Sequence, residues 1–187
     1  MNSYDTLPEG YRELEHVDLQ KDKKMAFLVN AIGVVIMIIT AVIGHMIVPF
    51  TELYRMDGIL PMLVMLVGVI LYMVLHELVH GIFMWHYSKR KPFYGFTGMY
   101  AYAGSNCYFN KKSYIVIALA PIVIWGIVLL ALNLIFQETW FWVIYFIQIC
   151  NLSGAAGDLY VSYRFSKLLE DILINDVGVS MTIYGRG

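Results

Sequence analysis

The stretch LHELVHG sets His76, Glu77 and His80 in the order H-E-x-x-H. On an α-helix, residues four apart stand about 40° apart in projection and one turn apart in height. His76 and His80 can therefore grip one ion from a single face. Two imidazoles, a third ligand and an open position for water make the zincin arrangement, so the expected cofactor is Zn2+. Glu77 lies about 100° round the helix from His76, placed to reach a water rather than the ion. A carboxylate there can serve as base during attack and as acid towards a leaving amine. The chemistry implied is zinc-assisted hydrolysis of an amide bond.

Three groups compete to be the third ligand. His86 stands six residues past His80. If the helix simply continues, that is about 240° round and 9 Å along, out of reach of the ion. Glu138 and Glu170 fall in a turn and in the tail, where they read as solvated charges. Asp158, in NLSGAAGDLY, is the only carboxylate besides Glu77 inside an apolar run. A lone Asp in such a run must find a proton, a cation or a metal. Counting from the far ends of their segments, His76 lies about 24 Å deep and Asp158 about 27 Å. The metal ligands expected are thus His76, His80 and Asp158. Asn151, two turns before Asp158 on the same face, could donate to a substrate carbonyl or its oxyanion, or could join helices.

The elements that must hold these residues are membrane helices. Of the 187 residues, 59% are hydrophobic and 14% charged, against about 45–50% and about 25% in soluble domains. Four segments reach the roughly 20 apolar residues that a bilayer core requires. They run over 25–50, 60–87, 113–136 and 140–163. The expected fold is all-α and integral to a membrane, with four transmembrane helices and a short β-hairpin-like loop between the second and third. That loop, 88–112, shows alternation at Tyr100, Tyr102 and near Tyr108, punctuated by Gly95, Gly98 and Gly104. An interfacial belt of aromatics would look similar. Pro121 should kink the third helix.

Charge sets the orientation. Segment 1–24, loop 88–112 and the tail hold four, five and three Lys or Arg; the other two loops hold one and none. Bases flanking membrane spans stay in the cytoplasm, which places both termini and the 88–112 loop there. The chain divides into a cytoplasmic segment 1–24, a four-helix metallopeptidase domain 25–163 and a cytoplasmic tail 164–187. Residues 1–24 mix acids with bases and do not resemble a signal peptide. A net charge of -1 gives no reason to expect nucleic acid as a partner. The partners expected are the lipid bilayer and a membrane or membrane-proximal polypeptide. Cys107 and Cys150 have no metal-ligand or redox spacing. The oligomeric state is not written in the sequence.

HELVH at 76–80 followed by NLSGAAGD at 151–158 resembles the site-2 protease group of intramembrane zinc proteases. That group pairs H-E-x-x-H with an Asp in an N-x-x-P-x-P-x-x-D-G-like run. Here the Asn-to-Asp spacing is one residue shorter, glycines and alanines replace the prolines, and Leu159 follows the Asp. The layout is similar also to a family of small bacterial membrane peptidases of the zincin type. The shared features are LPEGY at Leu7–Tyr11, HELVHG, the ALAP run at Ala118–Pro121 and GAAGD. Both resemblances imply zinc and proteolysis without naming a substrate. The alternative from another class is a non-enzymatic, metal-braced membrane scaffold or partner subunit. A transporter fits less well, because the polar residues converge on one spot and no internal repeat is present.

Overall fold

The computed structural model describes residues 3–18, 21–55, 58–98, 100–136 and 140–186. Glu138, its 137–139 turn and Asp57 lie outside the described residues. Among the described residues, three helices are long and apolar enough to cross a membrane. They are α1 (Lys23–Ile47), α2 (Leu60–Ser88) and α3 (Lys111–Ile135). Each starts and stops for a local reason. The Asp22 carboxylate accepts from the amides of Lys24 and Met25, both at 3.0 Å, and caps α1. Pro61 sits in the first turn of α2, where no amide is needed. At its end Lys89 takes a left-handed conformation, φ 58°, and its amide bonds the Trp85 carbonyl. Asn110 caps α3 through Ser113 at 2.8 Å. The outer faces of these helices expose Phe27, Met46, Leu66 and Ile70. Such a surface is costly in water and ordinary in lipid.

The fourth apolar segment is not one helix. It divides at Ala155 into α4 (Phe141–Gly154) and α5 (Ala156–Ser166). The run Ser153–Gly157 joins small residues with two glycines, which hold a helix weakly. Ser153 also turns its hydroxyl back onto the Ile149 carbonyl at 2.7 Å, a competitor that bends helices. The break leaves Asp158 in the first turn of α5, where an anion is favoured.

The expectation of an all-α protein with four transmembrane helices is overturned. Among the described residues, seven strands form two sheets. Antiparallel β3 (Phe93–Phe96) and β4 (Ala101–Gly104) make a hairpin beside α2. The larger sheet holds β1 (Ser3–Tyr4), β2 (Tyr11–Val17), β5 (Tyr108–Asn110), β6 (Ile172–Asp176) and β7 (Met181–Arg186), in the order β1-β5-β6-β7-β2. It draws on the N-terminal segment, the loop before α3 and the tail. The tail run VGVSMTIY at 177–184 reads as a candidate strand and supplies most of β7, but periodicity missed the rest because the strands are short and β2, YRELEHV, carries no clean apolar alternation. Its partner β7 lies far away along the chain.

The main core lies where this sheet meets the helices. Phe109, Ile174 and Ile183 from the sheet pack with Met84 of α2, Ile117 of α3 and Phe165 of α5. A second aromatic cluster, Phe141, Trp142 and Tyr145, fixes the start of α4 near the other end of the bundle. The sheet therefore anchors the last turns of α2, just beyond His76 and His80, the start of α3 and the later part of α5.

Candidate metal centre

His76 and His80 stand one turn apart on α2, each 8% exposed. Asp158 reaches them from α5. The two imidazole Nε2 atoms are 3.2 Å apart. One carboxylate oxygen of Asp158 is 3.3 Å from His76 Nε2, and the other is 3.6 Å from His80 Nε2. Among the described residues these form the group of His and carboxylate ligands able to share one ion.

Hydrogen bonds behind the rings fix which nitrogen carries the proton. The Ile122 carbonyl can only accept, so Asn151 turns its Nδ2 towards it at 3.3 Å. The Asn151 Oδ1 therefore faces Tyr72 and accepts its hydroxyl proton at 3.0 Å. With its proton so placed, the Tyr72 oxygen accepts from His76 Nδ1 at 2.8 Å. On the other ring, His80 Nδ1 lies 2.9 Å from the Ile117 carbonyl, another pure acceptor. Both imidazoles thus carry hydrogen on Nδ1 and turn the Nε2 lone pair inward. Partners of this kind orient metal-binding histidines and raise their basicity.

Three lone-pair donors then face one another across an enclosed space, an arrangement that repels itself without a cation. An added proton can satisfy two of the groups; a divalent ion satisfies all three. The spacings also fit zinc. Ligands at 2.0–2.1 Å on a tetrahedral centre lie about 3.3 Å apart. The donor set, two neutral imidazoles and one carboxylate, is that of a catalytic zinc with one position open.

Glu77 is tied to the hairpin. Its Oε2 accepts the backbone amide of Ala103 on β4 at 2.8 Å. This contact ties the hairpin to the motif helix. Gly81, directly after His80, allows the hairpin to lie so close: a Cβ there would meet the Tyr94 hydroxyl at 2.0 Å.

A cavity of about 1030 Å³ opens over these residues. His76, Glu77, His80 and Asp158 line one side, and Tyr100, Ala101, Tyr102 and Ala103 another. Val29 and Asn30 of α1 and Val69 and Met73 of α2 extend it towards the apolar faces of those helices. Asp176 at the end of β6 and Gly178 just after it also line the cavity. Asp176 accepts from the Tyr114 hydroxyl at 2.6 Å and from the Gly178 amide at 2.7 Å. Burial pushes its carboxyl above the usual carboxylate range, and those two hydrogen bonds draw it part of the way back.

A family model described as "putative zincin peptidase" matches residues 69–172, more than half of the chain. The chain belongs to this family. The matched span holds the H-E-x-x-H helix, the hairpin, α3 and Asp158. The chain matches no curated protein and no solved structure.

The other sequence candidates lie away from the centre. His86 packs its ring edge-on against Tyr87. Glu170 pairs with Lys111 at 3.3 Å. Asn151 is brought to the site, but fully buried behind His76, with its amide engaged by Tyr72 and Ile122. Tyr72 was missed by sequence reading, although it precedes His76 by one helical turn. The carbonyl of Ile117 and the amide of Ala103 are backbone groups and left no direct sequence signal.

Proposed function

We propose that the chain is a zinc-dependent membrane endopeptidase that cleaves membrane or membrane-proximal polypeptides near the cytoplasmic side of the cell membrane. The observation that carries this reading is the convergence of three lone-pair donors at tetrahedral spacing, with Glu77 one residue along from a ligand. His76, His80 and Asp158 would hold the ion. When bound, zinc supplies a Lewis acid that polarises a carbonyl and acidifies water. The chain's own residues do the rest. Tyr72 and the Ile117 carbonyl keep both imidazoles aimed inward. Glu77 takes a proton from the attacking water at a carboxylate oxygen and returns it to the leaving nitrogen.

The β3–β4 hairpin provides a place for substrate. Thr97 and Tyr100 close it with an amide-to-carbonyl bond at 3.0 Å. Alternation along an antiparallel pair then turns the backbone groups of Ala101 and Ala103 away from β3. The Ala103 amide does so, since it reaches Glu77. An extended substrate laid along this edge would gain main-chain hydrogen bonds beside the metal ligands.

The test compares zinc content with cleavage of a membrane-tethered reporter at matched expression. Glu77→Gln keeps shape and removes the base. It should retain about one zinc per chain and lose about 10²–10⁴-fold in cleavage. His76→Ala should lose the metal as well. Normal zinc with unchanged cleavage in Glu77→Gln would favour the metal-braced scaffold instead.

A further inference from the structure

In an α-helix an interior carbonyl accepts from the amide four residues on, and it lacks a backbone donor only where that amide is missing. In α3 that amide is missing at Pro121. Its natural acceptor is the carbonyl of Ile117, a residue 1% exposed and so shut off from water. The pyrrolidine ring also crowds the carbonyl four residues back and turns it off the helix axis. A buried carbonyl without a donor is costly. Here the donor is His80 Nδ1, at 2.9 Å.

We propose that Pro121 is a positioning residue for the metal centre: by withholding its amide it reserves the Ile117 carbonyl for His80 and locks that imidazole with Nε2 free. The inference rests on the reading of His76, His80 and Asp158 as metal ligands, and it adds a residue of α3 that is not one of them. The two histidines are then held by different devices. His76 is held by a side-chain relay through Tyr72 and Asn151, and His80 by a helix carbonyl that a proline has left unbonded. Any residue other than proline at 121 restores an amide that competes for the same carbonyl. The His80 ring would then be free to turn or to move its proton to Nε2, where it blocks a metal.

The experiment uses the full chain in detergent, with wild type and Pro121→Ala side by side. Zinc affinity is read by competition with a chelator. Nitrogen shifts of the His80 imidazole are read on zinc-free protein at alkaline pH, where the ring is neutral. Wild type should show His80 hydrogenated at Nδ1. Pro121→Ala should bind zinc about 10–100-fold more weakly, the usual effect of losing a partner behind a ligand. Its His80 should show a mixture of tautomers, while His76 keeps the wild-type pattern. Unchanged affinity and tautomer in Pro121→Ala would overturn the proposal. So would a wild-type His80 hydrogenated at Nε2, a result that does not depend on how the variant folds. Wild type that holds no zinc while keeping His80 hydrogenated at Nδ1 would instead sink the zinc reading and leave this bond standing.

Discussion

At the scale of single residues, the centre is a set of tautomer decisions made by neighbours. The chain Ile122, Asn151, Tyr72, His76 passes one orientation to the next, starting from the Ile122 carbonyl, which can only accept. Tyr72→Phe tests the weakest link. It removes a hydroxyl that both donates and accepts, and leaves Asn151 Oδ1 and His76 Nδ1 without partners in a buried place. An unsatisfied buried polar group costs about 1–3 kcal/mol. The variant should unfold more easily, and its zinc affinity should fall about 10–100-fold. Chelator competition and thermal unfolding in detergent would check both; wild-type values in each would show that Tyr72 does not orient the ring. The ligand candidates were legible in the sequence because two His four apart and a lone Asp inside an apolar run are rare. Tyr72 was legible in principle, from the same four-residue spacing. The Ile117 carbonyl was legible only through Pro121, which the sequence showed as a kink and not as a source of an acceptor.

At the scale of elements, the apolar runs were readable because a bilayer demands about 20 residues of one character. Hydropathy alone could not show the break at Ala155, since small apolar residues fill both sides of it. Nor could it show the sheet, whose strands are short and whose partners are remote. The β4 edge is the element whose use can be tested without touching the metal. Ala101→Pro removes an outward amide and leaves β3 its own bonds, a substitution that edge strands tolerate. Losing one substrate hydrogen bond at about 0.5–1.5 kcal/mol should lower kcat/KM roughly 2–10-fold with zinc content unchanged. Kinetics on an extended peptide reporter would measure it. Unchanged kcat/KM would mean that substrate lies elsewhere in the cavity.

At the scale of the whole molecule, the larger sheet decides which ends lie together. It pairs β1 with β5, β5 with β6, and β7 with β2. The N-terminal segment, the loop before α3 and the tail are thereby fastened on one side of the helices. Those are the three segments that hold most of the Lys and Arg, so pairing and charge point to the same side. The 3-10 turn Phe50–Arg55 follows α1 and lies at its opposite end. Basic-residue placement predicts a cytoplasmic sheet. A thiol reagent that cannot cross membranes should therefore label Thr51→Cys on intact cells and spare Lys167→Cys until the cells are opened. Both positions are exposed, so access depends on the membrane and not on the fold. The native Cys107 is buried and Cys150 half-buried, which keeps the background low. The reverse pattern would put the sheet and the metal centre outside. Labelling of both from one side would mean that α1 does not cross, and the cavity between α1 and α2 would then open to water instead of lipid.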